Sequence, residues 1–467
     1  MTVTVLTDGK SISVECESGE RLLDVCARAG VLLCADCGGV GVCGKCRVRC
    51  TGGLSPADEE EISHLKSEID IGIRLACKAK VVSDACVFVL QQKAEDIEIP
   101  NGVTVPNGVL CVDLGTSNIC LAYSENGVTK GRSLVNPQCI YGSDVISRIC
   151  ASKDHLSALN SSVDILLSDF KADKRIISGN TVMQYIYCGI DPSPLGRSPY
   201  TNDEKFGKWH GDDYMLPCIG AFVGGDVVSG LYYALENGMI DGGTSLYLDV
   251  GTNGETVLIH NGQMTACAAA AGPCFEGAGI ECGMKASDGA IYSCSVSNGK
   301  IKCSSLGQGK AKGICGTGLV SIAACLLDIG QITDTGLLKD QVYSLCPDGS
   351  VYITRHDVRA LQSAKAAIRA GIEILCKKAS ITPDMIQTVY LAGAFGEKLN
   401  TLHAVRTGLI PNVKTVKLGN SSLYGACMLS SDSSHFPKIK ALADKIRYIE
   451  LSDEEQFDEI YLSSMAF

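Results

Sequence analysis

Apolar and polar residues alternate along Thr2-Val-Thr-Val-Leu6 and again along Ser11-Ile-Ser-Val-Glu15, on either side of Asp8-Gly9. A period of two around a residue pair suited to positive φ predicts a β-hairpin. The period then changes. Leu22, Leu23, Cys26 and Ala29 recur at helical spacing within residues 20–29, which predicts a short helix against the sheet. A glycine-rich loop and a polar run, Asp58-Glu-Glu-Glu61, follow; strands are expected around Cys77 and over Cys86-Val-Phe-Val-Leu90. Residues 94–107 contain two prolines and few large apolar groups, and read as a linker.

Beyond residue 107 the pattern becomes that of an α/β chain. Gly108-Val-Leu-Cys-Val112 is an apolar strand running into Asp113-Leu-Gly115-Thr116-Ser117-Asn118. Leu246-Tyr-Leu-Asp249-Val-Gly251-Thr252-Asn253-Gly254-Glu255 repeats it, and the repetition suggests a duplicated α/β unit with two facing loops. Later, Val358, Leu361, Ala364, Ile368, Ile372 and Leu375 line one face of a predicted helix over residues 357–378, with Asp357 as the expected N-cap. Thr388-Val-Tyr-Leu-Ala392 is the strand after it. It runs into a small-residue turn, Gly393-Ala394-Phe395-Gly396.

Bulk properties narrow the function classes. The chain has 467 residues, enough for several domains, and a net charge of −11. That charge argues against a nucleic-acid footprint. The most apolar stretch, residues 216–235, is interrupted by Asp226 and several glycines, so no membrane span is expected. The first residues lack a basic start and a long apolar region, so no signal peptide is expected and the protein reads as cytoplasmic. Of 25 cysteines, nine fall within the first 86 residues and the rest are scattered without pairing rhythm. Most of the scattered ones read as small apolar core residues, and such liberal thiol use fits an anaerobe.

The chemistry begins in Cys37-Gly-Gly-Val-Gly-Val-Cys43-Gly-Lys-Cys46, with Cys77 downstream. Three thiols on a glycine-rich loop and a distant fourth resemble the [2Fe–2S] ferredoxins, whose plant type has C-x4-C-x2-C…C. Here the first gap is one residue longer, as in the adrenodoxin-type variant. The alternative is a four-cysteine zinc site, because Cys34-Ala-Asp-Cys37 and Cys43-Gly-Lys-Cys46 are two C-x2-C pairs. Cys34 also stands as a possible substitute for Cys37.

The two Asp-x-Gly-Thr loops point to phosphate. Gly115 and Gly251 let backbone approach a phosphate, while Thr116, Ser117, Asn118, Thr252, Asn253 and Gly254 supply donors. Asp113 and Asp249 sit at strand ends, where carboxylates hold Mg²⁺ through its retained waters. Gly313-Ile-Cys-Gly316-Thr317-Gly318 opens a predicted helix over residues 319–327, whose N-terminus is suited to an anion. One such loop is an ordinary strand exit; two in register with the late Gly-Ala-Phe-Gly count for more.

Together these motifs resemble the phosphate-1, phosphate-2 and adenosine motifs of the actin, heat-shock chaperone and sugar kinase (ASKHA) superfamily. A ferredoxin joined to such a unit is similar to the reductive activators of corrinoid proteins. Asn136-Pro-Gln138, Tyr141-Gly-Ser-Asp144-Val-Ile-Ser-Arg148, Gly179-Asn-Thr181, Ala271-Gly-Pro-Cys-Phe-Glu276 and Gly419-Asn-Ser-Ser422 also look like that family. The resemblance implies a multidomain α/β and α+β chain. A β-grasp [2Fe–2S] ferredoxin over residues 1–93 and a linker over 94–107 precede a duplicated ASKHA fold over 108–467. It implies an ATP-hydrolysing enzyme that reduces Co(II) to Co(I) on a partner corrinoid protein, fed by a low-potential electron donor. Cys37, Cys43, Cys46 and Cys77 would hold the cluster. Asp113 and Asp249 would position Mg²⁺ and water at the γ-phosphate, with Glu255 and Gly393–Gly396 also in the ATP site. Asp226, upstream of Asp249, stands where relatives keep a catalytic carboxylate; its other reading is an N-cap for the helix that follows.

Better-known members carry a middle domain after their linker. Here residues 91–109 alone separate Leu90 from Leu110, so that domain is expected to be absent, and oligomeric state is left open, a homodimer included. Three other readings stay in view. An ATP-driven donor to another low-potential enzyme, such as the activators of 2-hydroxyacyl-CoA dehydratases, lacks a β-grasp domain. A redox-sensing nucleotide-binding regulator or chaperone would turn ATP over slowly and deliver no electron. A small-molecule kinase would leave the cluster unexplained.

Overall fold

The alternating segments at the N-terminus do pair. Thr2–Thr7 lies antiparallel to Lys10–Glu15 with Thr2 opposite Glu15 and Thr7 opposite Lys10. The computed structural model describes the whole chain except Asp8, Gly9, Leu32, Cys34, Asp36, residues 90–93 and Ser143, and except the side chains of Lys10 and Ser67. The Asp8-Gly9 turn, the substitute ligand Cys34 and the end of the strand at Leu90 therefore lie outside the described residues.

The chain divides into two units, residues 1–177, 182–204 and 210–213 in one, and 178–181, 205–209 and 214–467 in the other. The first opens with a five-stranded sheet in the order Lys10–Glu15, Thr2–Thr7, Val81–Phe88, Arg47–Leu54, Ile73–Leu75. Thr2–Thr7 and Val81–Phe88 run parallel at its centre, so a crossover must join them. Helix Leu22–Arg28 lies on that crossover and buries Leu22, Leu23, Val25 and Cys26 against the sheet. This is the β-grasp arrangement.

The stretch read as a linker is more ordered than expected. Glu95–Ile97 is a short strand antiparallel to Val128–Val135, with Glu95 opposite Ser133. It is the edge of a second sheet in which Lys174–Gly179, Val109–Leu114, Asn118–Glu125, Val128–Val135 and Glu95–Ile97 are successive neighbours.

In the second unit a six-stranded sheet runs Lys414–Lys417, Thr388–Ala392, Ser245–Val250, Asn253–His260, Gln263–Ala270, Ile446–Tyr448. The predicted late helix is Arg355–Lys378, two residues longer at its start. Its N-cap is Thr354, not Asp357. Asp357 is the third residue, and its carboxylate accepts from the Thr354 amide while Thr354 accepts from the Asp357 amide, a reciprocal capping box. The turn expected after Ala392 is instead the helix Gly393–Lys398.

The helix Arg355–Lys378 carries an unusual cation. Lys365 is 2% exposed, donates to the Ala466 carbonyl and lies 5.3 Å from the centre of the Phe467 ring. Burial, helped by the Arg369 charge, pulls its pKa down to about 8. Between there and the ordinary lysine range the unfolded chain binds a proton that the folded chain does not, so stability rises with pH across that window. Below it the charged form costs the fold about 3 kcal/mol. Lys365→Met is therefore expected to raise stability at pH 7 by about 1–3 kcal/mol and to flatten the rise between pH 8 and 10.5. Denaturant titrations at several pH values check this; an unchanged slope would rule Lys365 out as its source.

Candidate functional site

The four expected cluster ligands come together as two pairs. The Cys43 thiol is hydrogen-bonded to Cys37, whose sulfur also accepts from the Gly41 amide at 3.3 Å. The Cys46 sulfur accepts from the Cys77 thiol and from the Cys77 amide at 3.5 Å. The bond from Cys43, then the amides of Gly41, Cys43 and Val42, pull the Cys37 thiol down to about 4. The same bond pushes Cys43 up, and Cys46 and Cys77 divide in the same way. Among the described residues no group of three or more His, Cys, Asp or Glu side chains is placed to hold one ion. Two thiols for each of two irons is what a [2Fe–2S] cluster needs, whereas one tetrahedral zinc needs four ligands on one ion. The donor set fits the cluster.

Two supports of this loop lie outside the cysteine motif. Glu61, 1% exposed, takes Arg74 in a two-point ion pair at 2.7 and 3.0 Å and accepts from the Leu75 amide at 2.9 Å. That fixes the strand Ile73–Leu75 just ahead of Cys77. Asp58 caps the helix Glu59–Leu65 by accepting from the Glu61 amide, and the spacing Asp58-x-x-Glu61 was the available signal. On the other flank, Arg21 Nη1 and the Cys77 Cβ both lie within 4 Å of where a side chain on Gly39 would begin.

The first Asp-x-Gly-Thr loop joins Val109–Leu114 to Asn118–Glu125, with Asp113 opposite Cys120. A Cβ on Gly115 would stand 2.4 Å from the Asn118 carbonyl, so only glycine fits this turn. Asn136 holds the loop from behind. Its side-chain amide donates to the Gly115 carbonyl at 2.8 Å and its backbone amide to the Ser117 carbonyl at 3.0 Å. The buried Arg148 donates to the Thr116, Gln138 and Gly142 oxygens. The 3₁₀ turn Pro137–Tyr141 that starts at Asn136 also meets the cluster loop: the Ala35 amide donates to the Cys139 carbonyl at 3.3 Å, and the Tyr141 carbonyl lies 3.4 Å from the Cβ position of Gly38.

In the second unit, Ser245–Val250 and Asn253–His260 form the matching hairpin, with Asp249 opposite Glu255. Glu276 fastens its tip by accepting from the Thr252 amide at 3.2 Å and from the Thr252 hydroxyl. Gly393 closes on Asp249, since a Cβ there would stand 2.4 Å from Asp249 Oδ1 and φ is +74°. Phe395 meets Phe275 with ring centres 5.0 Å apart. Ala394 is exposed and Gly396 buried.

Asp226 joins this group, in the first turn of helix Gly225–Glu236. The N-cap is Gly224, so the capping alternative fails; Asp226 Oδ1 accepts from the Val227 amide at 2.8 Å. Burial first, then the charges of Asp226 and Asp249, push the Glu255 carboxyl well above the usual range. Three crowded acids call for a counter-cation or a shared proton. The family-like Gly419-Asn-Ser-Ser422 segment supports them: Asn420 caps Ser421–Ser431, the Ser422 carbonyl takes the Ser229 hydroxyl at 2.6 Å, and the Gly419 carbonyl takes the Gly393 amide.

The remaining candidates lie deeper. Gly316, Thr317 and Gly318 open the helix Gly316–Asp328 but are buried, with the glycines packed on the Phe275 and Ile291 carbonyls. Those close approaches account for glycine at both positions.

Comparison with known proteins extends the picture. Residues 5–82 match the 2Fe-2S iron-sulfur cluster binding domain, 108–237 the RACo middle region, and 243–467 the C-terminal domain of RACo, the ASKHA domain. The middle region expected to be absent is thus present, beginning directly after the linker and including the Asp113 hairpin and Asp226. A relative named corrinoid activation enzyme RamQ, from Eubacterium limosum, is 27% identical over 420 residues, 77% of this chain and 70% of its own length. A [Co(II) methylated amine-specific corrinoid protein] reductase of Methanosarcina barkeri is 32% identical over 251 residues, 48% of this chain and 46% of its own. The solved structure of a reductive activator for corrinoid, iron-sulfur protein shares the fold, with a TM-score of 0.66 at 24% identity over 100% of this chain and 98% of that one. From its ferredoxin domain through its middle region to its ASKHA domain, the chain is homologous to the reductive activators of corrinoid proteins.

Proposed function

We propose that the protein uses ATP to drive one-electron reduction of a partner corrinoid protein, returning Co(II) to Co(I) in a methyl-transfer system. The observation that carries this reading is the joining, in one chain, of four thiols set as two pairs to a carboxylate-lined ASKHA hairpin. The names of the two relatives point the same way.

In this reading Cys37, Cys43, Cys46 and Cys77 would hold a [2Fe–2S] cluster, two thiols to each iron. The bound cluster supplies a single electron. On the first unit, Asp113 would hold Mg²⁺ and the amides and hydroxyls of Gly115–Asn118 would offer donors to phosphate; on the second, Asp249 and Gly251–Gly254 would do the same. Asp226 takes the proton of the attacking water. Gly393–Phe395 take the adenosine, and Gly316–Gly318 stiffen the wall behind Phe275. Co(I) is a very strong reductant, so the electron step is uphill for an ordinary ferredoxin. ATP binding must therefore favour one state of the partner complex by more than it favours another. A low-potential carrier supplies the electron, and a cytoplasmic setting suits both exchanges. Among the described residues no helix is long and apolar enough to cross a membrane.

The test is anaerobic. The reconstituted protein is mixed with a Co(II) corrinoid protein and a reductant, and the visible spectrum is followed with and without Mg·ATP. Co(I) is expected only with ATP, and Cys46→Ala is expected to abolish it while nucleotide binding persists. Co(I) formed equally well without ATP would reduce the ASKHA unit to regulation. No Co(I), with cluster and ATP binding intact, would redirect the search to another electron acceptor.

A further inference from the structure

A second thiol pair lies outside the cluster loop. In the hairpin of Ala290–Ser297 and Lys300–Ser305, Cys294 is directly opposite Cys303, and the Cys294 thiol donates to the Cys303 sulfur at 2.9 Å. Residues opposed in an antiparallel ladder have Cα atoms about 4.5–5.5 Å apart, inside the roughly 4.4–6.8 Å range that a disulfide spans. No backbone movement is needed to join them.

The two sulfurs differ in access. Cys294 is 4% exposed, while Cys303 is half-buried. The Cys294 side is also fixed: its amide donates to Ser321 Oγ at 2.7 Å, and Ser321 is hydrogen-bonded in turn to His403 Nδ1 at 2.8 Å. Access and the hydrogen bond make Cys303 the attacking sulfur, and the bond from Cys294 holds its thiol below the ordinary range. Cys294, pushed up by the same bond, is the resolving thiol.

We propose that Cys294 and Cys303 form a reversible redox site that closes to a disulfide on meeting a small-molecule disulfide. The Cys303 thiolate attacks one sulfur of the oxidant and bonds to it as a mixed disulfide, while the oxidant's S–S bond breaks and its other half leaves as a thiolate. The Cys294 thiol gives its proton to solvent and attacks the Cys303 sulfur of the mixed disulfide, expelling the second thiolate. Two protein thiols are oxidised and one external disulfide is reduced to two thiols. The bridge closes only a short hairpin whose turn is Asn298-Gly299, so it gains little from loop entropy and stays easy to reduce.

The experiment uses the full chain with its cluster, held anaerobically in mixtures of reduced and oxidised glutathione, quenched by alkylation and mapped by peptide mass. In excess oxidised glutathione the expected product is a single cross-linked peptide joining Cys294 to Cys303, lost again on adding dithiothreitol. In Cys294→Ser, Cys303 is expected to retain glutathione. In Cys303→Ser, Cys294 is expected to remain a free thiol. Recovery of both residues as separately alkylated thiols at full oxidant excess would overturn the proposal. So would their capture in bridges scattered among other cysteines. Unchanged cluster absorbance during the titration separates this site from the iron ligands.

Discussion

Glu61→Ala is expected to cost the ferredoxin domain about 3–5 kcal/mol, the usual result of leaving half of a buried ion pair behind. A domain of this size commonly has only about 5–15 kcal/mol of stability, so the loss takes a large share of it. The reason is local. Arg74 is 9% exposed, and without Glu61 both its guanidinium and the Leu75 amide lose their buried acceptor. Leu75 ends the strand that delivers Cys77, so the fourth sulfur loses its fixed approach. Iron content and visible absorbance after reconstitution should fall together with the denaturation midpoint. Glu61→Gln, which keeps acceptor and shape, should land between the two. A Glu61→Ala protein with wild-type midpoint and full iron would mean that the pair adds nothing to the site.

The second large effect is expected from Asp226→Asn. If its carboxylate takes a proton from the attacking water, ATP turnover should drop by about 10²–10⁴-fold. Affinity for Mg·ATP should change little, because asparagine still offers an oxygen to the Val227 amide and the helix start is kept. Asp249→Asn provides the contrast, since removing a Mg²⁺-positioning charge should weaken nucleotide binding itself. An Asp226→Asn enzyme within about twofold of wild type would leave Asp226 as only a helix-start acid favoured by the dipole. Single-turnover kinetics beside equilibrium nucleotide binding distinguish these outcomes.

What could be read in the sequence was local. The spacing Cys37, Cys43, Cys46 encodes a loop that must fold on itself whatever surrounds it. Each Asp-x-Gly-Thr follows an apolar strand and ends in a turn closed by near neighbours, Gly115 by Asn118 and Gly251 by Asn253. What was missed depends on partners far along the chain. Nothing near Glu61 announces Arg74, and nothing near Thr252 announces Glu276. Arg148 has no sequence signal for burial, because arginine on a helix normally faces water. The N-caps lie three residues before Asp357, at Thr354, and two before Asp226, at Gly224, because an acid inside the first turn looks the same in sequence as one in the cap. The middle region reads as part of the ASKHA fold because its apolar strand into Asp113-Leu-Gly115-Thr116 repeats the pattern at Asp249-Val-Gly251-Thr252.

The turn that begins at Asn136 touches two chemistries at once. One end grips the carbonyls of Gly115 and Ser117, and the other meets the cluster loop at Ala35 and Gly38. Thermodynamic reciprocity then applies to this short bridge. If phosphate on the Gly115 hairpin shifts the reduction potential of the iron centre through it, adding an electron must shift the affinity for that phosphate by the same factor. The protein would read its own oxidation state in how tightly it holds its nucleotide.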